Sequence, residues 1–241
     1  MTTKDTVLLD VDGTLADTNY LHVLAWARAF ASVDVTVPQW ELHRAIGMGG
    51  DKLVPAVAGE QVESEHGETV RAAWEEEYAA LLPEVRLLPG ARDLVLALAG
   101  RGLKVALASS GKDRFTQRVV ELLDLPEGTL ATTTSSDDAE ESKPAPEILE
   151  VALEKAGGTS ALGGGDTPSD VTAAARLGMP CLTVRTGGFG VAELEDAEAL
   201  AVYETPGDLV DGPWEEWLAA DAPEGAADVE SPLPGDAGEE G

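Results

Sequence analysis

Short apolar runs alternate with helix-length segments through the second half of this chain, and that alternation limits the folds open to it. Strand patterns at residues 103–108, 130–134, 161–162, 181–184 and 199–203 are separated by helical patterns at residues 112–123, 146–156 and 169–177. Strands that alternate with helices in this way form βαβ units, which place parallel strands side by side. We therefore predict an α/β fold with a Rossmann-like, doubly wound parallel sheet.

A helical segment without strand patterns interrupts this series after the first strand. That strand is predicted at residues 6–11, and the following stretch predicts helices at residues 17–31, 38–46 and 61–82 with a loop at residues 47–50. Another helix is predicted at residues 91–99. The predicted domains are an α/β core of residues 1–15 and 89–220, a helical-bundle cap of residues 16–88, and an acidic tail of residues 221–241. The tail combines Ala, Gly, Pro and seven acids without an aromatic residue, a composition typical of disorder.

The charge balance bears on the partners of this protein. The 241 residues include 16 Lys and Arg against 45 Asp and Glu, a net charge of −29, and no base follows Arg185. Such a surface repels nucleic acids and anionic membranes, so we predict neither as a partner, and we expect a monomer. No apolar run has the length of a membrane span and no signal peptide is visible at the start. With Cys181 as the only cysteine, these features favour the cytoplasm.

Two carboxylates directly follow the first predicted strand. The sequence there reads Asp10-Val-Asp12-Gly-Thr-Leu, and its glycine permits the turn that ends the strand. In such a pair, one carboxylate can act as a nucleophile while the other acts as a general acid or base, provided that a cation screens their repulsion. The pattern therefore indicates a reactive centre at the carboxyl end of this strand.

Three further polar segments lie near the ends of later strands. Ser109 and Ser110 precede a glycine and a helix, which can form an anion cradle. Lys143 precedes a proline-marked helix in an acidic neighbourhood and can hold an anion or neutralise carboxylates. Asp166 and Asp170 bracket a turn into a helix, and their oxygens suit Mg²⁺. Since ligands of open parallel sheets bind at the carboxyl ends of the strands, we expect these segments to meet.

In this order, the four segments resemble the haloacid dehalogenase superfamily over about residues 5–218. The segments that carry the resemblance most strongly are residues 10–15, Lys143 with its following proline, and Gly165-Asp-Thr-Pro-Ser-Asp170. The helical insert is similar to the subgroup that includes phosphoglycolate phosphatase-like and β-phosphoglucomutase-like members. Val11, where the family often has Phe or Leu, leaves the chemistry unchanged. Glycines occupy residues 163–165, a normally apolar strand, and predict a looser edge of the site.

The resemblance implies a role for each matching residue. Asp10 would attack phosphorus and form an aspartyl-phosphate, and Asp12 would protonate the leaving oxygen and then activate water. Ser109, with Ser110, and Lys143 would bind the transferring phosphoryl group. The implied cofactor is Mg²⁺, and its predicted binding residues are Asp10, Asp12 through its backbone carbonyl, Asp166 and Asp170.

The presence of Asp12 selects among the reactions of this superfamily. The resemblance implies that members acting on carbon–halogen or carbon–phosphorus bonds lack this acid, so a phosphate ester is the expected substrate. We predict a Mg²⁺-dependent phosphatase acting on a small-molecule phosphomonoester. A sugar phosphomutase, which needs the same pair of aspartates, stays open as the alternative, as does an inactive phosphate-binding module.

The cap supplies weaker candidates for contacts with substrate. Arg44, Gly49 and Lys52 are predicted to contact it, because two bases flank a glycine-rich loop that can face the core. Other cap residues with suitable chemistry are His22, Trp26, His43, Met48 and Asp51. For His22 and Trp26, ordinary packing is the favoured interpretation, and for Lys52 it is a solvated surface charge.

Overall fold

A single parallel sheet forms the centre of the molecule, which we describe from a computed structural model covering residues 3–138, 143 and 145–222. Its strands are β1 (Thr6–Leu9), β2 (Lys104–Ala108), β3 (Thr132–Thr134), β4 (Ala161–Gly165), β5 (Cys181–Val184) and β6 (Ala201–Tyr203). They lie in the order β3-β2-β1-β4-β5-β6, and every neighbouring pair is parallel. This order reverses direction at β1 and confirms the predicted doubly wound sheet.

Helices of the described residues cover the sheet and form the insert after β1. They are α1 (Asn19–Ala31), α2 (Gln39–Ala45), α3 (Gly50–Leu81), α4 (Ala91–Gly100), α5 (Asp113–Leu123), α6 (Glu147–Lys155), α7 (Pro168–Ala175), α8 (Val191–Asp196) and α9 (Trp214–Ala219). Sequence patterns did not predict the first eleven residues of α3, nor α8 and α9. Pro55 and a glycine at residue 59 interrupt the helical pattern of α3, and the chain kinks there rather than leaving the helix.

The sheet is buried on both faces. Because successive side chains of a strand point to opposite faces, alternate residues pack against different sets of helices. Val7 and Leu9 of β1 join the apolar cluster that includes α4, α5 and α9, whereas Leu8 joins the cluster that includes α6 and α7. One short apolar run therefore serves both layers.

A separate apolar cluster holds the helices of the insert together. Trp26 and Phe30 of α1 pack with Leu42 of α2 and with Leu53 and Val70 of α3. Because this cluster contains no strand residue among those described, it supports the division of the chain into a core and a cap, which we retain as a proposal.

The sequence predicted that the glycines of β4 would loosen this edge of the site, but the structure shows a tightly packed strand. This strand pairs with both β1 and β5, and all five of its residues are buried. A Cβ atom on Gly165 would lie 2.4 Å from the Cβ of Asp170. Glycine here lets the first turn of α7 pack directly on the strand, so β4 is a tightly packed central strand.

Two further predictions concern membrane-spanning helices and the acidic tail. Within the described part of the chain, no helix is both long and apolar enough to cross a bilayer. The predicted disordered tail lies outside the described residues from position 223 onward.

Candidate active site

Two strand ends and the start of a helix bring three of the predicted carboxylates together. Asp10 follows β1 and Asp166 follows β4, its neighbour in the sheet, while Asp170 lies in the first turn of α7. These three aspartates are buried, and each offers a carboxylate oxygen within 4.8 Å of the others. The structure therefore forms one acidic centre at the carboxyl edge of the sheet.

Lys143 is the cation of this centre. Its ammonium group is buried and donates hydrogen bonds to Asp10 Oδ1, to Asp170 Oδ1 at 2.8 Å and to the carbonyl of Ala108 at 3.0 Å. Burial lowers the pKa of this lysine, but the carboxylates of Asp10 and Asp170 outweigh burial and raise it. Lys143 therefore stays charged and fixes the side chain of Asp10.

Asp170 positions that lysine and the start of α7. Its Oδ2 accepts hydrogen bonds from Thr167 Oγ1 at 2.7 Å and from the backbone N–H groups of Thr167 at 3.0 Å and Asp166 at 3.2 Å. Thr167 Oγ1 in turn accepts from the Asp170 N–H, which completes a capping box. Both carboxylate oxygens of Asp170 thus already have donors, so this geometry favours an action through Lys143.

Asp166 is held in place by residues at the end of β1 and the start of α1. Its oxygens accept hydrogen bonds from Thr14 Oγ1 at 2.8 Å and from Asn19 Nδ2 at 2.9 Å. Gly13 makes room for it: with a φ of +75°, this residue would place a Cβ only 2.2 Å from Asp166 Oδ2. Burial first, and then the nearby charges of Asp170 and Asp10, raise the pKa of Asp166.

Asp12 is oriented separately, from the first turns of the insert. Its Oδ1 accepts a hydrogen bond from Thr18 Oγ1 at 2.7 Å and lies 3.0 Å from His22 Nε2, while Oδ2 lies 3.5 Å from Ser109 Oγ. Burial raises the pKa of Asp12, but His22, Thr18 and Lys143 together lower it below its usual value. Asp12 is therefore ionised in the free site, with one oxygen fixed by two partners.

The donor set of the acidic centre fits a divalent cation. The carboxylates of Asp10, Asp166 and Asp170 meet one ammonium group, that of Lys143, so negative charge is in excess. The pKa of Asp10 is raised to about 7, by burial first and by Asp170 and Asp12 in addition, although Lys143 opposes this. Hard oxygen ligands are those that Mg²⁺ and similar cations prefer. Asp10 and Asp166 would hold such a cation, because Asp170 is already bonded.

Two adjoining cavities open from this centre towards the insert. The phosphoryl chamber, about 50 Å³, is lined by Asp10, Asp12 and His22 and is closed by Trp26 and the loop before α3. The outer chamber, about 460 Å³, lies between α3 and the loops after β2 and β3. Residues that line both chambers are Gly49, Gly50, Trp74 and Ser110.

The remaining predicted residues fall partly inside and partly outside these chambers. The hydroxyl of Ser110 is buried and has no hydrogen-bond partner among the described residues, while Ser109 Oγ accepts from the Gly111 N–H at 3.0 Å. Arg44 instead donates to Glu193 Oε1, and the nearest carboxylate oxygen to Lys52 Nζ is that of Asp51 at 4.0 Å. In the described part of the chain, neither base lines a chamber.

Several residues of the site were not predicted from the sequence. Asn19, Thr18 and Trp74 have no signature of their own, because they reach the site only through the way the insert packs on the sheet. The sequence does hold one indication: Asn19 and His22 are buried polar residues three positions apart, and so on one face, in a mostly apolar helix. His22 also stacks on Tyr78 with ring centroids 3.9 Å apart, which fixes the imidazole against Asp12.

Known proteins are similar to this chain in sequence and in fold. A family model described as haloacid dehalogenase-like hydrolase matches residues 4–178. The solved structure of a hydrolase from Pseudomonas syringae is 31% identical, superposes with a TM-score of 0.80, and is aligned over 86% of this chain and 96% of its own. A phosphoglycolate phosphatase from Rhodospirillum rubrum is 26% identical over 91% of this chain and 92% of its own length. A β-phosphoglucomutase from Clostridium difficile shares the fold at 18% identity, with a TM-score of 0.76 over 89% of this chain and 96% of its own.

Proposed function

Because this chain belongs to the haloacid dehalogenase-like hydrolases, we propose that it is a phosphatase that hydrolyses a small-molecule phosphomonoester through an aspartyl-phosphate on Asp10. One observation carries this proposal: buried Asp10 is held by Lys143 at the end of β1 and lines the same chamber as Asp12. A fixed carboxylate beside a second carboxylate is the arrangement that nucleophilic and acid–base catalysis require.

In the first step, Asp10 takes the phosphoryl group. Its Oδ1 is bonded to Lys143, so Oδ2 is the candidate to attack phosphorus as the ester P–O bond breaks. Asp12 gives its proton to the departing oxygen, and the free hydroxyl of Ser110 binds a phosphoryl oxygen. Lys143, whose hydrogen bonds hold Asp10, attracts the phosphoryl group by its charge. The incoming anion adds a like charge and so raises the pKa of Asp12, which takes up a proton from solvent as the substrate binds and can then act as the acid.

In the second step, Asp12 works as a base. It takes a proton from water, whose oxygen attacks phosphorus, and the bond between phosphorus and Asp10 breaks to release inorganic phosphate. Thr18 and His22 hold Asp12 Oδ1, so Oδ2, beside Ser109, is the oxygen that moves the proton in both steps.

We propose Mg²⁺ as the divalent cation of this site. Asp10, Asp166 and the backbone carbonyl of Asp12 would hold it, while Thr14 and Asn19 fix Asp166. When bound, the ion offsets the repulsion between the carboxylates and the phosphoryl oxygens. Asp170 acts through Lys143, as its hydrogen bonds favour.

Hydrolysis is favoured over the alternative, a sugar phosphomutase. A mutase must hold a substrate with two phosphates, which calls for cations on the cap side of the site. Among the described residues, the phosphoryl chamber is lined by no Lys or Arg. The nearby cap bases are already paired, Arg44 with Glu193 and Arg71 of the outer chamber with Glu63. We further propose that the protein acts as a monomer in the cytoplasm, in line with its charge and its single buried cysteine.

The test is phosphate release from p-nitrophenyl phosphate, with and without Mg²⁺. We expect turnover that requires the ion and that Asp10→Asn abolishes without lowering the melting temperature. Asp17→Asn is the matched control, because Asp17 is exposed near the same strand end and should leave the rate unchanged. Wild-type rates in Asp10→Asn would refute the proposal.

A further inference from the structure

The outer chamber can contact the part of the substrate that is not transferred, because it joins the phosphoryl chamber at Trp74 and Ser110. The phosphoryl chamber, at about 50 Å³, has room for little more than the transferring group. The outer chamber, at about 460 Å³, is the space next to it that can accept the rest of a sugar-sized molecule.

Three lining residues of the outer chamber carry uncharged polar groups that lack partners. Ser110 Oγ, Ser136 Oγ and Trp74 Nε1 are buried, and none has a hydrogen-bond partner within the described residues. Buried polar groups are usually satisfied, and three unsatisfied ones around a single cavity point to a ligand that completes them. Hydroxyl groups suit this set, since a hydroxyl both donates and accepts.

The charged residues of the same lining disfavour an anion. Its two bases are already neutralised: Arg71 pairs with Glu63 at 2.7 Å, and Lys112 pairs with Asp137 at 3.3 Å. Glu68, in contrast, lines the chamber with no ion-pair partner among the residues described. An added carboxylate or phosphate would therefore meet the like charge of the exposed Glu68, while both bases of the lining are already paired.

We infer that the outer chamber binds the leaving group of the phosphomonoester and selects a neutral, hydroxyl-bearing one over one that carries a second anionic group. This inference rests on the proposed phosphatase function. Neutral hydroxyls satisfy the partnerless groups of Ser136 and Trp74, while Ser110, at the junction of the chambers, keeps its contact with the phosphoryl group. Hydroxyls are also donors to the carboxylate of Glu68. A leaving group that ends in a carboxylate places that charge against Glu68.

A matched pair of substrates tests this selection. Glucitol 6-phosphate and 6-phosphogluconate have the same six-carbon skeleton and the same phosphate ester, but one ends in an alcohol and the other in a carboxylate. With Mg²⁺ present, we expect kcat/KM to be about fivefold higher for glucitol 6-phosphate, as repulsion by a solvent-exposed like charge predicts. p-Nitrophenyl phosphate reports the basal phosphatase activity.

Two variants separate the charge repulsion by Glu68 from the hydrogen bonding by Ser136. Glu68→Gln should raise kcat/KM for 6-phosphogluconate and so narrow the ratio between the two substrates about threefold. Ser136→Ala should lower kcat/KM for glucitol 6-phosphate relative to that for p-nitrophenyl phosphate. Glu76→Gln is the control, because Glu76 is exposed on the same helix as Glu68 and lies outside both linings.

The outcomes distinguish this inference from the function on which it rests. Equal or faster hydrolysis of 6-phosphogluconate overturns the inference, and so does failure to hydrolyse glucitol 6-phosphate by an enzyme that hydrolyses p-nitrophenyl phosphate. If p-nitrophenyl phosphate is not hydrolysed either, the proposed function itself fails.

Discussion

At the scale of single residues, the two aspartates after β1 differ in what surrounds them. Asp10 is bonded to the ammonium group of Lys143, whereas Asp12 is bonded to Thr18 and lies against His22. These environments move the pKa of Asp10 up and that of Asp12 down. Two carboxylates two positions apart thus receive different partners. The roles we propose need the opposite order of pKa values, which a bound cation would produce by lowering the pKa of Asp10, and the substrate phosphate by raising that of Asp12.

Replacing Asp12 should affect substrates according to their leaving groups. Asp12→Ala removes the proposed proton donor, so alkyl phosphates should lose about 10²- to 10⁴-fold in kcat, in the range typical of general acid catalysis. p-Nitrophenyl phosphate should lose much less in the first step, because its leaving group needs little protonation. Burst and steady-state kinetics on both substrates provide the measurement, and equal losses in the first step would contradict an acid role.

The sequence predicted the strand-end residues but missed some of those that the helices supply. Asp10, Ser109 and Asp166 follow buried strands, and a parallel sheet brings such positions together whatever the helices do. Asn19 and Trp74, in contrast, depend on how α1 and α3 rotate and pack against the sheet, and no local pattern encodes that rotation. The same reason explains why Arg44 and Lys52, predicted from loop flanks, lie outside the chambers.

At the scale of elements, β4 connects strand packing to the site. Gly165→Ala would force its Cβ against Asp170, which holds Lys143 and caps α7. We expect a loss of about 1–3 kcal/mol in the free energy of unfolding, measured in urea, together with a lower kcat. Gly100→Ala serves as the control, because nothing lies within 4 Å of a Cβ there, and should shift stability by less than about 1 kcal/mol. Equal stabilities for the two variants would show that β4 tolerates a side chain.

The carboxylate of Asp5, just before β1, bonds to the start of β2 and to the residues that precede β4. Its carboxylate accepts hydrogen bonds from Lys104 Nζ at 3.0 Å and from the backbone N–H groups of Thr159 at 3.0 Å and Ser160 at 3.3 Å. Burial raises the pKa of Asp5, but the bonds from Thr159, Lys104, Thr6 and Ser160 outweigh it and hold the pKa well below its usual range. This carboxylate is therefore more stable as an anion in the folded protein than in the unfolded chain.

The stability that Asp5 contributes should depend on pH. Because its pKa is depressed on folding, the contribution is complete above the unfolded pKa, about 4, and is lost as pH falls through the folded pKa. Asp5→Asn should cost about 1 kcal/mol at neutral pH, after allowance for its partial exposure, and progressively less below pH about 4. Urea unfolding across this pH range measures the difference, with exposed Asp211→Asn as the control. A difference that stays constant down to the lowest pH would contradict this account.

At the scale of the whole molecule, the net charge of −29 opposes the compact state. Sixteen acids and no base follow Arg185, so the repulsion is concentrated towards one end of the chain. Raising the salt concentration from about 0.1 M to about 1 M shortens the screening length from about 10 Å to about 3 Å. The melting temperature should therefore rise with sodium chloride and equally with potassium chloride. An unchanged or falling melting temperature would show that charge repulsion does not limit stability.

The most direct test of the central proposal is to trap the phosphorylated aspartate. Borohydride reduces an acyl phosphate to the alcohol, so quenching the enzyme during turnover of p-nitrophenyl phosphate should convert residue 10 to homoserine. Peptide mass spectrometry should locate this change at Asp10 alone, with Mg²⁺ and substrate both required. Sustained phosphate release with Asp10 unmodified, or with the modification on another carboxylate, would contradict the account.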